Sequence, residues 1–174
     1  RKKDTVLFLG SLYPQKGFDE LLEQYERAFR QNETIPRLII IGDGSERGRI
    51  EEWIRLRNLK ERITLTGAIY DDAVLGEYFS GAIACVSPKQ AGLTVLKSMG
   101  CGVAYVTRKD AITGGELFNI QNGVNGVLYE KPEELGDVLL DLAENPHRYL
   151  QYGENAKMYY DDCRKPSDMV EGFL

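Results

Sequence analysis

Short apolar runs alternate along the chain with longer segments in which apolar residues recur every three or four positions. Five of the short runs predict strands at residues 5–9, 37–41, 63–66, 82–86 and 103–107, with a sixth at 126–129. The longer segments predict amphipathic helices at residues 18–29, 46–57, 71–79 and 93–99. Pro132 begins a further helix that extends to Ala143, and Asn145-Pro146 ends it and begins another.

This alternation predicts the architecture. Strands that follow one another through helices pair in parallel, and the helices cover both faces of the sheet. The sequence therefore predicts an α/β fold, a Rossmann-like three-layer α/β/α domain with a parallel sheet of about six strands. A length of 174 residues, of which 43% are hydrophobic, is that of a single domain, here residues 1–174.

Charge and hydropathy exclude several classes of partner. The formal net charge is −5, and lysines and arginines are dispersed among acidic residues, so no surface for nucleic acid is predicted. No apolar run approaches the roughly 20 residues that span a bilayer. The sequence begins at Arg1 without an initiator Met or the pattern of a signal peptide, which predicts a segment of a longer protein.

The cysteines and the single histidine indicate no chemistry of their own. Cys85, Cys101 and Cys163 form no Cys-x-x-Cys motif or Cys/His cluster, so neither a disulfide framework nor a zinc site is predicted. This use of cysteine favours a cytoplasmic location. Cys85 lies in an apolar run and is interpreted as a core residue, and His147, at a helix start, as a surface residue. No catalytic residue is predicted.

Glycine-bearing loops follow four of the predicted strands, at residues 10–17, 42–45, 87–94 and 113–116. In an open parallel sheet, ligands bind outside the carboxyl ends of the strands, where these loops converge. Glycines allow the backbone to approach a ligand closely, helix N-termini offer N–H donors to phosphate, and Lys16 adds a positive charge. The sequence therefore predicts a site for a phosphate-bearing ligand.

Five segments, in order, carry a resemblance to a known family. The first is FLGSLYPQKGFDELLEQY, which contains the glycine, the Lys-Gly pair and the amphipathic helix of the family's first loop. It is followed, at the family's spacing, by LIIIGDGSERGRIEEW, ITLTGAIYDDAVLGEYFSGAIACVSP, AGLTVLKSMGCGVAYVT and NGVNGVLYE. The set covers nearly the whole chain. It resembles the C-terminal, donor-binding domain of family 4 glycosyltransferases, which have the GT-B fold.

The resemblance implies a hexosyltransferase-like enzyme that transfers a sugar from a nucleotide donor to a glycan or glycolipid acceptor, with retention of configuration, in polysaccharide biosynthesis. It implies a nucleotide sugar as substrate, with no cofactor and no metal. The acceptor site, the general base and any peripheral association with a membrane would belong to an N-terminal domain that this sequence lacks. The isolated domain is therefore expected to be inactive.

Residues of the first two loops match donor-binding positions of the family. Lys16 matches the lysine that neutralises the donor diphosphate, and Gly10 matches the glycine that lets the loop approach it. Gly42 and Gly44 match the glycines near the nucleobase. The alternative interpretation is a solvent-exposed lysine at a helix start and an ordinary turn between a strand and a helix.

The loops after the fourth and fifth strands also contain matches. Gly92, Leu93 and Thr94 match the loop and helix start whose N–H groups face the β-phosphate in relatives. Glu116 resembles the glutamate of the family's Gly-Gly-x-x-Glu segment at a shifted spacing. It is predicted either to accept hydrogen bonds from donor hydroxyls or to stabilise a helix start through the dipole.

Three positions depart from the family pattern. Relatives carry two glutamates eight residues apart, one reaching the donor sugar and one the ribose, where this sequence has Lys89 and Lys97. An ammonium group only donates hydrogen bonds, so those contacts cannot form unchanged. Ser11 replaces the usual arginine of the first loop. Either Lys89 faces the diphosphate and restores a charge, or both lysines are solvent-exposed and the donor is bound differently.

Three other functions are alternatives to this one. The glycines of residues 42–48 resemble the fingerprint of NAD(P) dehydrogenases, but the spacing differs by one residue and no acidic residue ends the next strand. A GT-B epimerase or phosphorylase is the second alternative, the latter requiring a cofactor lysine and a larger chain. The third is a catalytically silent binding or scaffold module in which Lys89 and Lys97 have ended turnover, and it stays open.

Overall fold

The computed structural model describes residues 2–163, which contain one six-stranded sheet. The strands are β1 Thr5–Leu9, β2 Arg37–Ile41, β3 Ile63–Gly67, β4 Ala82–Ser87, β5 Ala104–Arg108 and β6 Gly126–Tyr129. Their order across the sheet is β3-β2-β1-β4-β5-β6, and every neighbouring pair is parallel. The predicted parallel sheet is confirmed.

The part of the chain that the structure describes also contains six α-helices. They are α1 Phe18–Gln31, α2 Arg47–Leu56, α3 Asp72–Ser80, α4 Thr94–Gly100, α5 Pro132–Glu144 and α6 Pro146–Cys163. The first five lie within two residues of their predicted bounds. Amphipathic periodicity locates the body of a helix better than its ends, because end residues differ little from the neighbouring turn in hydrophobic pattern.

The core lies on both faces of the sheet. Val6 and Phe8 of β1 belong to the cluster covered by α1, α2 and α5, whereas Leu7 belongs to the cluster covered by α3, α4 and the second half of α6. All six residues of the central strand β4 are buried. Strands that are apolar on both faces need helices on both sides. This gives the three-layer α/β/α domain that the sequence predicts.

The strand order reverses between β1 and β4. β1 leads to β2 and β3 on one side of the sheet, whereas β4 leads to β5 and β6 on the other. The loops that follow β1 and β4 therefore diverge and leave a crevice between them. Ligands of open α/β sheets bind at such a reversal point, outside the carboxyl ends of the strands.

Candidate functional site

The loop after β1 places a lysine at this crevice. Residues Pro14–Lys16 form a 3-10 turn, and Gly17 adopts a left-handed conformation (φ 80°) before α1 begins. The Nζ atom of Lys16 lies 3.6 Å from the position that a Cβ atom would occupy on Gly10. The ammonium group therefore lies over Gly10, where a side chain would otherwise stand.

The Lys16 ammonium group is half-buried and has no counter-ion or hydrogen-bond partner among residues 2–163. Burial lowers the pKa of Lys16, because the charged form loses part of its hydration. A partly desolvated cation without a counter-ion favours an anionic ligand, since a new charge partner compensates for the lost water.

Backbone N–H groups at the start of α4 line the same cavity as Lys16. Within the described residues, the N–H groups of Gly92, Leu93 and Thr94 have no hydrogen-bond acceptor, whereas the Val95 N–H donates to the Gly92 carbonyl at 3.0 Å. Free N–H groups at a helix start carry partial positive charge and donate to anions. The cavity therefore offers a positive charge and free N–H donors, which are the groups that favour an anionic ligand.

The cavity that they line has a volume of about 390 Å³. Its lining comes from the loops after β1, β4 and β5 and consists of Leu9, Gly10, Lys16, Ser87, Gln90, Gly92, Leu93, Thr94, Ile112, Thr113, Gly114 and Glu116. The Thr94 hydroxyl is engaged with the hydroxyl of the buried Tyr105, at 2.9 Å. Cationic, hydroxyl, amide and carboxylate groups therefore meet at the carboxyl end of β1 and β4.

Glu116 brings a carboxylate to this lining. It begins the short 3-10 helix Glu116–Asn119, and its Oε2 accepts hydrogen bonds from the Gly114 N–H at 2.9 Å and the Thr113 hydroxyl at 3.2 Å. Hydrogen bonds, the strongest from its own backbone N–H, hold the pKa of Glu116 below its usual range. The ionised carboxylate orders its own loop through Oε2, while Oε1 accepts no hydrogen bond from another described residue.

A smaller cavity of about 190 Å³ adjoins the first and shares Leu9 and Gly10 with it. Its other lining residues are Ser11, Ile41, Gly42, Asp43, Ala68, Ile69 and Tyr70. The Tyr70 side chain stands at its edge and is 90% exposed. Together these two adjoining cavities are the depression at the carboxyl ends of the strands.

Gly42 and Gly44 hold the loops after β1 and β2 together. A Cβ atom on Gly42 would lie 1.8 Å from the Gly10 carbonyl oxygen, and one on Gly44 would lie 2.6 Å from the Leu12 carbonyl oxygen. Gly42 lines the smaller cavity, whereas Gly44 lines neither cavity. The structure thus gives both glycines a packing role and brings Gly42, but not Gly44, to the depression.

Lys89 and Lys97 line neither cavity. The Lys97 Nζ makes an ion pair with the Asp72 carboxylate of α3 at 2.6 Å. The exposed Lys89 packs its methylene groups over Gly17, where a Cβ atom would lie 2.9 Å from the Lys89 Cγ. The prediction that Lys89 restores a charge beside the diphosphate therefore has no contact in its favour.

Sequence reasoning did not single out two residues of the lining, Gln90 and Ile112. They meet because the loops after β4 and β5 pair with each other, the Ile112 N–H donating to the Lys89 carbonyl and the Ala91 N–H to the Ile112 carbonyl, both at 2.8 Å. No local sequence pattern predicts that residues 90 and 112, which lie in different loops, will pair.

Cys85 and His147, to which the sequence assigned no chemistry, line neither cavity. Cys85 is buried in β4, and burial raises the pKa of its thiol to about 12, so it is not a nucleophile near neutral pH. His147 is exposed near the start of α6. Between residues 2 and 163, no group of three or more His, Cys, Asp or Glu side chains is arranged to hold a metal ion. No helix in that range combines the length and apolarity that crossing a membrane requires.

Comparison with known proteins finds similarity to glycosyltransferases. Residues 3–145 match the family model described as glycosyl transferases group 1. An uncharacterized glycosyltransferase of Methanocaldococcus jannaschii is 29% identical over 164 residues, which cover 91% of this chain and 41% of that protein. The alpha-monoglucosyldiacylglycerol synthase of Acholeplasma laidlawii is 23% identical, covering 88% and 38% respectively. The chain thus spans about two fifths of the length of these curated relatives.

Solved structures share the fold. S. aureus TarM, in complex with fondaparinux, alpha-GlcNAc-glycerol and UDP, aligns with a TM-score of 0.84 at 22% identity, covering 99% of this chain and 35% of that chain. Anabaena HepE in complex with UDP aligns with a TM-score of 0.77 at 20% identity, covering 99% and 49%. At such identities the alignments show that the architecture is common to these proteins.

Proposed function

Because the chain belongs to the glycosyl transferases group 1 family, we propose that it is the donor-binding domain of a family 4, retaining glycosyltransferase and binds a nucleoside diphosphate sugar. The observation that carries the proposal is the half-buried Lys16, which has no counter-ion in the described chain and shares a cavity with the free N–H groups that begin α4. A diphosphate supplies the negative charge that both features favour.

The shape of the depression supports an orientation for the donor. The nucleobase occupies the smaller cavity beside Ser11, Gly42 and Tyr70, and the diphosphate lies over Gly10 between Lys16 and the start of α4. The sugar lies in the rest of the larger cavity, where Gln90 and Glu116 hydrogen-bond its hydroxyl groups. TarM and HepE were solved with UDP, which supports a uridine nucleotide as a first probe.

In the proposed reaction, the bond between the anomeric carbon and the β-phosphate oxygen breaks, and negative charge grows on the departing diphosphate. The Lys16 ammonium group and the N–H groups of Gly92, Leu93 and Thr94, which line the larger cavity, stabilise that charge. We propose that these groups stabilise the charge without a metal ion.

The acceptor is proposed to bind elsewhere. The depression is lined by the loops of one domain, and the curated relatives are more than twice as long as this chain. We propose that a second Rossmann-like domain supplies the acceptor site and the general base, and that the acceptor is a glycan or a glycolipid in polysaccharide biosynthesis. The relative named alpha-monoglucosyldiacylglycerol synthase supports a lipid-linked acceptor as one class to test.

The proposal is tested by titrating UDP into the chain and into Lys16→Ala by calorimetry. A charge-assisted hydrogen bond contributes roughly 1.5–3 kcal/mol, so Lys16→Ala should weaken UDP binding at least about tenfold. Lys109→Ala is the matched control, because Lys109 follows β5 at the same edge but is paired with Glu130 at 2.9 Å and lines neither cavity. Equal affinities for wild type and Lys16→Ala would refute the diphosphate site.

A binding module without turnover is the second candidate. It is favoured by Lys89 and Lys97, which occupy positions that the resemblance assigns to carboxylates and which line neither cavity. Both candidates predict UDP binding. Donor hydrolysis or sugar transfer by the full-length protein decides between them, because a silent module binds the donor and releases it unchanged.

A further inference from the structure

A partly buried ion pair connects the first turn of α1 to the sheet. The Glu20 side chain is 6% exposed, and its Oε1 accepts a hydrogen bond from the Arg108 Nη1 at 2.9 Å. Its Oε2 accepts a hydrogen bond from the hydroxyl of the buried Tyr129 at 2.5 Å. Arg108 ends β5 and Tyr129 ends β6. The start of α1 is therefore attached to the same carboxyl edge of the sheet that carries the depression.

Arg108 is itself held in place. Its Nε and Nη2 donate to the two carboxylate oxygens of Asp110, each at 2.8 Å, while Nη1 remains on Glu20. A two-pronged contact restricts the orientation of a guanidinium group, although Asp110 itself is 66% exposed. Glu20, Arg108, Asp110 and Tyr129 therefore form one connected cluster of hydrogen bonds.

Lys16 stands just before this attachment. It lies four residues before Glu20, and the Gly17 carbonyl accepts the Leu21 N–H at 3.1 Å as α1 begins. The Lys16 ammonium group has no counter-ion among residues 2–163, so no side-chain contact there fixes it. The Lys16 Nζ lies over Gly10, and the backbone that carries this side chain leads through Gly17 directly into the first turn of α1.

We infer that the partly buried Glu20–Arg108 pair positions Lys16 for the donor diphosphate, an inference that rests on the proposed function. Arg108 and Glu20 line neither cavity, so they act through Lys16 and not by touching the ligand. Both are positioning residues.

The same turn of α1 carries a second ion pair that serves as a control. Asp19 binds Arg49 of α2 at 2.6 Å, and the two side chains are 73% and 50% exposed. An exposed pair between flexible side chains restrains the backbone weakly. Removing Arg49 therefore takes one ion pair from the first turn of α1 and leaves the Glu20–Arg108 pair in place.

The experiment is a double-mutant cycle read by calorimetric titration of UDP. Arg108→Met and Arg49→Met are each prepared in the wild-type and Lys16→Ala backgrounds. We expect Arg108→Met to weaken UDP binding about fivefold and Arg49→Met less than about twofold. In the Lys16→Ala background, Arg108→Met should add less than about twofold, because the group that it positions is gone. The melting temperature should fall on Arg108→Met in both backgrounds.

Each outcome decides the inference. Equal weakening by Arg108→Met in both backgrounds would show a structural effect unrelated to Lys16 and overturn it, as would unchanged affinity in the wild-type background. If Arg108→Met does not fold, the isosteric Glu20→Gln, which removes the charge and keeps the shape, replaces it in the same cycle. Absence of UDP binding by the wild type, or equal binding by Lys16→Ala, would remove the proposed function and the inference together, whereas failure of the Arg108 cycle alone leaves the proposed function standing.

Discussion

At the scale of single residues, the loops of the candidate site depend on glycines at which no side chain larger than a hydrogen atom fits. A Cβ atom on Gly42 would meet the Gly10 carbonyl oxygen at 1.8 Å. The loop after β1 would have to move, so we expect Gly42→Ala to lower the free energy of unfolding by about 3 kcal/mol or more. Urea unfolding measures this. Gly76→Ala is the control, because an added Cβ in the middle of α3 meets no atom within 4 Å.

The control variant Gly76→Ala should itself change the free energy of unfolding, in the opposite direction to Gly42→Ala. Replacing a glycine inside an exposed helix by alanine increases stability by about 0.5–1 kcal/mol, since the unfolded chain loses conformational freedom. Gly76→Ala should therefore unfold at a higher urea concentration than the wild type. A similar loss in both variants would contradict the packing role of Gly42.

Cys85 provides a second test at this scale. Burial raises the pKa of its thiol to about 12, whereas Cys101 and Cys163 are exposed. In the folded protein at pH 8, we expect the exposed thiols to react with a disulfide reagent and Cys85 to react after unfolding in guanidinium. A spectrophotometric thiol count before and after unfolding measures this, with Cys85→Ala as the control that lacks the delayed thiol.

The same thiol makes stability depend on pH. The folded pKa of Cys85, about 12, lies above its unfolded value of roughly 8.5. The folded state therefore binds the proton more tightly, and the contribution of the thiol to stability is full below about pH 8.5 and falls as pH rises towards the folded pKa. Between pH 8 and pH 10.5 the urea midpoint should fall further for the wild type than for Cys85→Ala. Equal falls would be evidence against the buried neutral thiol.

At the scale of elements, α3 depends on one side chain for its start. The Asp71 Oδ1 accepts the N–H groups of Ala73 at 2.8 Å and Val74 at 3.2 Å. Removing such a cap costs about 1 kcal/mol, so Asp71→Ala should lower the urea midpoint. Asp72→Ala is the neighbouring control, because Asp72 makes an exposed ion pair with Lys97 and caps nothing. We expect a smaller shift from Asp72→Ala, and a reversed order would disprove the assignment.

The sequence predicted only the start of helix α6. A close contact with a distant loop explains the glycine inside this helix. A Cβ atom on Gly153 would lie 2.3 Å from the Gly102 carbonyl oxygen, so the backbone of α6 packs directly against the backbone of the loop before β5. A glycine inside a helical segment weakens a helix prediction, because glycine has low helix propensity. The contact that requires this glycine lies fifty residues away in the chain, and local pattern does not reveal it.

At the scale of the whole molecule, ligand binding and turnover should separate. A ligand at a hundred times its Kd stabilises the native state by about 2.7 kcal/mol, which for a chain of this size corresponds to about 5–10 °C in Tm. We expect UDP to raise the Tm of the isolated chain by this amount, as a thermal-shift assay measures. The same sample should release no UDP from a UDP-sugar, because acceptor groups are proposed to belong to a second domain. Transfer or hydrolysis by the isolated chain would contradict this division.

The sequence by itself determined the order of the elements, the parallel sheet and the edge at which the candidate site lies. Strand and helix periodicities are local, and parallel strands necessarily bring their following loops to one edge. Gly10, Lys16 and the start of α4 were predicted for the same reason, since Gly10 directly follows β1, Lys16 lies in the loop between β1 and α1, and the start of α4 follows the loop after β4. Their assignment to a donor diphosphate stays a prediction.

Tertiary structure alone decided which side chains meet at that edge. Lys97 pairs with Asp72, Lys89 lies on Gly17, and Ile112 reaches the cavity through a pairing between loops. The direction of a long side chain depends on charges and surfaces contributed by distant segments, which no window of sequence contains. Local sequence pattern therefore determined the strands and helices, and contacts between the loops determined which chemical groups face the cavities.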